Sequence, residues 1–383
     1  MSTTSKSPRT VLLVAHEAGR RSLPTYAHRF APKKFTQPQL LAILVLKTFL
    51  RRDYRGICQL LTDSPELCRA IELKAVPHWT TVQKAAGRLL CSARVRRLID
   101  ETVALARDDG RGRGQGRVSH AAADSTGFDT HHVSRYFIWR THRNRKGKQP
   151  ARRVSYRRFG KLMVLVCCTT HLILNAEASA GPTPDIDQLA SLMAHTPRGL
   201  TIERLVADAG FDSAANHQLL REEHGIMSVI PPKHGRPPKQ GKLPEDAYRR
   251  KQRTHFNHTA YRKRPQVETV MSMLKRNLGN SLRGRTHHAR RRDLLLMCIT
   301  HNAAIALIVK LVFYRASLGC FPTDQETRKC RESAKHHLHP TCSSYSLTNG
   351  DGIGSVVTMA GRHPLATFRC GLPTSTRSPH AAF

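Results

Sequence analysis

YRKRPQVETVMSMLK, residues 261–275, places a single carboxylate, Glu268, in a run that is otherwise basic, polar or apolar. Val267, Val270, Met271, Leu274 and Leu278 recur at the spacing of one helix face, so the stretch is expected to wind as a helix that buries this stripe. Wound continuously, Tyr261, Arg264, Glu268 and Lys275 would fall within an arc of about 60° beside the stripe, from a turn of roughly 100° per residue. Pro265 favours the first helical turn, which puts Tyr261 and Arg264 just before the helix and leaves the relation of Glu268 to Lys275 intact. A helix with an apolar stripe and a polar row needs a sheet or helix layer to receive it, and the preceding segments offer a sheet.

VSHAAADSTGF, KLMVLVCCTT and HLILNAEASAG have strand character. They are followed by a helix at DIDQLASLMAHT, a strand at ERLVADAGF, a helix at SAANHQLLREEHG and a short strand at IMSVIP. That order, rich in hairpins at first and in crossovers later, predicts an α/β domain over residues 118–315. Upstream, Thr36 can cap a helix with Pro38 in its first turn and Leu40, Leu41, Leu44 and Phe49 behind it. Further helical runs extend this to an all-helical unit over 35–109, read as a DNA-binding or dimerisation domain. Thr80, Thr81, Gln83 and Lys84 could open a recognition-like helix there; plain helix packing explains the same pattern. Residues 1–34 are expected to be flexible, GRGRGQGR at 110–117 a basic linker, and 316–383, which lacks either apolar period, a disordered tail.

The chain has 383 residues, with 63 Lys+Arg against 27 Asp+Glu and a formal net charge of +36. So large an excess points to a polyanionic partner. The run Val11–Ala15 is too short for a secretory leader. Leu294–Phe313 approaches the length of a membrane span but contains His301, Asn302 and Lys310, and is read as a buried helix. A cytoplasmic protein without a membrane partner is expected. The ten cysteines are scattered without paired motifs, as befits reduced thiols. Cys320, Cys330, His336, His337 and Cys342 are spaced too irregularly to be assigned as a zinc site.

Among so few acids, those at strand ends stand out. Asp124 in AAADSTGFD and Asp208 in RLVADAGFDS are placed to emerge from two different strands, where an open α/β sheet carries its functional groups. With Glu268 they make three hard oxygen donors, suited to Mg²⁺ or Mn²⁺, and two such ions can serve in-line phosphoryl transfer. Lys275 and Arg264 would grip DNA phosphates and Tyr261 could stack or hydrogen-bond at a strand end. Asp129, Asp185, Asp187 and Asp212 are assigned to caps and turns, Asp212 as cap of the helix starting near Ser213. His131 and His132 are placed on a surface strand.

Tyr261, Arg264, Glu268 and Lys275, with gaps of two, three and six residues, resemble the Y-R-E-K signature of DDE transposases of the insertion-sequence-four type. DSTGF and DAGFDS resemble the first and second aspartate motifs of that family. The likeness covers about residues 120–312, with a looser one over 35–95. It implies an RNase H-like catalytic core, a mixed sheet flanked by helices, with Asp124, Asp208 and Glu268 as catalytic metal ligands. It also implies double-stranded DNA as substrate, both terminal inverted repeats and target, cut and joined by a homodimer in a synaptic complex. The 60-residue interval between Asp208 and Glu268 has no room for the long β-rich insertion of some relatives. A hydrolytic nuclease of the same fold and an inactive DNA-binding remnant are the alternatives.

Overall fold

The computed structural model describes residues 4–107, 116–130, 159–181, 183–197, 199–233 and 244–317, with side chains to Ala306. Most of the 110–117 linker, His131, His132, the cysteine and histidine cluster beyond 320 and the expected tail from 318 onward lie outside the described residues.

Helices come first. α1 spans Pro8–Ser22, α2 Gln37–Phe49, α3 Tyr54–Asp63, α4 Pro65–Ala70, α5 Trp79–Leu89 and α6 Ser92–Arg107. Thr36 caps α2 as a capping box, its hydroxyl taking the Gln39 amide while the Gln39 side chain returns to the Thr36 amide. The segment expected to be flexible at 1–34 instead holds α1. Ser7 caps that helix, Pro8 opens it, and Val11, Leu12, Ala15 and Ala18 bury against α2 and α6. The physical reason is burial: four apolar residues on one face gain more by leaving water than a short helix loses in ordering.

The strands follow as β1 Gly116–Val118, β2 Ala121–Thr130, β3 Gly160–Cys167, β4 Ile173–Ala180, β5 Leu200–Ile202, β6 Arg204–Val206, β7 Met227–Val229 and β8 Ser281–Leu282. The main sheet runs β4-β3-β2-β6-β7, antiparallel from β4 through β2 and parallel from β2 through β7. β8 adds to the far end of β2, Asp129 pairing with Ser281, and β1 pairs β5 separately. Asp129 is therefore a strand residue; its amide is spent on the Asn280 carbonyl at 3.1 Å, so it makes no turn. The strand order and directions are those of an RNase H-like core, a mixed α/β sheet flanked by helices.

Between and after the strands lie α7 Leu189–Met193, α8 Ala214–Gln218, α9 Ala247–Thr254, α10 His258–Tyr261, α11 Pro265–Leu278 and α12 His287–Ser317. α12 packs on α6, β4, α1 and α2, so the helical segment and the sheet share one core. Its polar residues explain why so apolar a segment sits in a protein interior. Asn302 accepts from the Ile173 amide at 2.9 Å and donates to the Ile173 carbonyl at 2.8 Å, where the β3–β4 register shifts. His301 reaches the His171 carbonyl at 3.0 Å, at a turn residue with φ of 60°. Burial pushes the His301 imidazole down to about 4, so it stays neutral. No helix among the described residues is long and apolar enough to cross a membrane.

Candidate active site

β2 presents alternate residues to one side, so Asp124, Thr126 and Phe128 share a face. α11 lies against that strand. Its apolar stripe, Val267, Val270, Met271, Met273 and Leu274, is buried, and the polar row beside it meets the strand side chains. Pro265 is the first residue of α11, Arg264 precedes it, and Tyr261 ends α10, its ring 5.2 Å from Phe256. The chain therefore breaks between Tyr261 and Glu268, as Pro265 requires.

Across this contact Arg264 joins two of the three candidate carboxylates. Its Nη2 lies 3.1 Å from Asp124 Oδ2 and its Nη1 contacts Glu268 Oε1. Arg264 Nε is buried without a hydrogen-bond partner among the described residues. Further along the same faces, Lys275 Nζ donates to Thr126 Oγ1 at 2.6 Å and stands 5.3 Å from the centre of the Phe128 ring. The period-2 face of DSTGF could have signalled Thr126 as the partner of a helix cation; nothing in the spacing of 261–275 identifies Asp124 as the partner of Arg264.

Asp208 follows β6 and caps the short turn Ala209–Phe211, its Oδ1 taking the Gly210 amide at 2.9 Å. β6 is the parallel neighbour of β2, with Ala122 opposite Val206. Burial raises the Asp124 carboxyl above its ordinary range. The Ser125 amide, at 2.8 Å, and Arg264 pull it back, while the charges of Asp208 and Asp185 push it further up. Asp185, at a turn as expected, also pairs with the buried Lys161 at 2.5 Å. Glu268 is the exposed member of the set, its side chain 55% accessible.

The expected cap role of Asp212 does not hold. Ser213 itself caps α8, taking the Asn216 amide, while the Asp212 carboxylate is buried among other partners. Arg249 donates to both its oxygens at 3.0 and 3.1 Å, the Lys233 amide donates at 2.9 Å, and His217 Nε2 stands 3.4 Å away. A carboxylate with a guanidinium in reach gains more from that pair than from a helix end that a hydroxyl already caps.

Residues 116–303 match the family model described as transposase DDE domain. Over these residues the chain is similar to a transposase DDE domain. No curated protein matches it. The match covers the whole sheet, α11 and most of α12, and a domain of that description implies a DNA substrate and phosphoryl-transfer chemistry. Such domains generally use divalent metal. No group of three or more His, Cys, Asp or Glu among the described residues is gathered closely enough to hold an ion. Two carboxylates already converge on one cation, the Arg264 guanidinium, and the third acts on Asp124 through its charge. Carboxylate oxygens are the hard, acceptor-only donors that a divalent cation takes.

Proposed function

We propose that the chain is a transposase of the insertion-sequence-four type, which cuts the ends of an element and joins them to target DNA. The observation that carries the reading is the convergence of Asp124 and Glu268 on Arg264, across a strand and a helix far apart in sequence. Asp124, Asp208 and Glu268 would hold one or two Mg²⁺ or Mn²⁺ ions. Bound there, the metal supplies an activated attacking oxygen and a counter-charge for the leaving one. Arg264 and Lys275 would hold backbone phosphates next to the reacting one, and Tyr261 would stack or hydrogen-bond at the strand end. Glu268, exposed beside the half-buried Asp124, would face the DNA. The helical segment, with Gln83 and Lys84 exposed on α5, would contact the inverted repeats or a second copy in the synaptic complex.

The test is strand transfer with a pre-cleaved inverted-repeat end in Mg²⁺ or Mn²⁺, comparing the natural chain with Glu268→Gln. The amide keeps the size of the side chain and loses the charge that would hold the ion. Joined product from the natural chain, reduced by several orders of magnitude in the variant, is the expected result. Cleavage without joining would make it a nuclease, and equal transfer by both proteins would remove Glu268 from the site.

A further inference from the structure

A cavity of about 240 Å³ opens between the end of α2 and the loop that follows α11, floored by α12. Lys47, Arg51, Arg52 and Arg283 line it, against one carboxylate, Asp293, which accepts the Gly284 amide at 2.9 Å. Lys47 is the unusual member. It is 8% exposed, its ammonium lies 4.9 Å from the centre of the Tyr54 ring, and it makes no ion pair with any described residue. Buried cations are ordinarily paired, because removing an ammonium from water costs several kcal/mol. Burial lowers the affinity of Lys47 for its proton and raises that of Asp293; each group is the main opposing charge on the other, but the two make no ion-pair contact.

The walls are braced before any ligand arrives. Arg51 adopts a φ of 53°, a conformation that costs a non-glycine residue on the order of 1 kcal/mol. There its guanidinium donates to the Asn277 carbonyl at 3.0 Å and to that of Arg276, offsetting the negative end of α11. Arg283 in turn donates to the Arg51 carbonyl at 3.0 Å. The loop enters β8, and β8 pairs with β2 at Asp129, five residues beyond Asp124.

We propose that this cavity seats one backbone phosphodiester of bound DNA, with Lys47 as its buried counter-charge. The inference rests on the transposase reading for the identity of the polyanion. A single-charge oxyanion fits the dimensions, and four cations against one carboxylate set its sign.

Lys47→Met keeps the buried stem and removes the charge. Binding of a linear duplex carrying an inverted-repeat end is measured by fluorescence anisotropy over a salt series, with thermal unfolding of the same proteins. The expected log–log salt slope falls by about 0.9, so that between about 50 and 200 mM salt the variant loses roughly 3.5-fold less affinity than the natural chain. Its affinity at low salt falls several-fold, and its melting temperature does not fall, since an unpaired buried charge has gone. An unchanged slope overturns the proposal, as does a lower melting temperature with normal DNA binding, which would make Lys47 structural. Arg52→Gln, an exposed change, repeats the slope measurement should Lys47→Met fail to fold. Inorganic phosphate that stabilises the natural chain while both variants keep the full DNA slope would assign the cavity to a small anion and also overturn it. Failure of the natural chain to join ends, with the slope change present, would reject the transposase reading and leave the phosphate seat standing.

Discussion

Arg264 Nη2 stands 3.1 Å from Asp124 Oδ2. That bond ties the residue just before α11 to the middle of β2, and the same guanidinium also holds Glu268. The arginine thus supplies the positive charge that two neighbouring carboxylates share. Arg264→Gln should therefore lower stability by about 1.5–3 kcal/mol, the usual worth of hydrogen bonds to charged groups. It should also increase the stabilisation conferred by Mn²⁺ or Ca²⁺, because the competing cation has gone. Denaturant unfolding with and without the ion checks both; equal stabilisation of the two proteins by the ion would show that Arg264 and the metal do not share their ligands.

Asp124→Asn separates stability from activity. Burial raises the Asp124 carboxyl, so the folded protein holds this proton more tightly than the unfolded chain does. The contribution of the group is thus fully favourable below the unfolded value of about 3.9 and is lost as pH rises through the folded value. Above that window the neutral amide should be as stable as the acid or more so, while strand transfer falls by several orders of magnitude. A melting temperature clearly lower than that of the natural chain at pH 7 would contradict the burial argument.

Lys275→Ala removes a contact to Thr126 and a cation over Phe128, both at the margin of the site. The fold should survive, with a loss of about 1 kcal/mol. End binding should weaken and its salt slope fall by about 0.9. Anisotropy titrations of end DNA read this directly, and an unchanged slope would confine Lys275 to a structural role.

Local rules carried much of this architecture in the sequence. Thr36 and Pro38 spell a capped helix, and the β2–β3–β4 run could be recognised because β3 is almost wholly apolar and β2 opens on three alanines. Pro265 marked the break before α11 correctly. Other features depend on partners distant in sequence. Val11, Leu12, Ala15 and Ala18 do have helical spacing, but only α2 and α6 give them something to bury against. Asp212 looks like a cap from its position before Ser213, and only the fold brings Arg249, 37 residues away, onto it. Arg264 is the clearest case: the spacing from Tyr261 to Lys275 shows which residues share a helix face and is silent on the strand that face will meet.

The same Asp212 supplies the most decisive pH test. Burial alone would raise its carboxyl, but the contacts from His217, Arg249 and the Lys233 amide outweigh burial and hold it well below the ordinary range. A depressed carboxyl contributes stability that is present above its unfolded value, about 3.9, and is lost as pH falls through the folded value. Asp212→Asn leaves Arg249 facing a neutral amide. Because that guanidinium is one-third exposed, the cost should be about 2–3 kcal/mol rather than the ~3–5 of a fully buried pair. The gap in stability between the natural chain and the variant should be constant from about pH 6 to 8 and shrink progressively below about pH 5. Asp212 lies four residues after Asp208, and Arg249 lies on the helix that leads to Tyr261. Loss of the pair should therefore lower transfer activity even at temperatures where the variant is fully folded. Urea unfolding at intervals between pH 3.5 and 8, with transfer measured at pH 7, checks both. A stability gap as large at pH 3.5 as at pH 7 would show that shape, and not charge, is what Asp212 contributes.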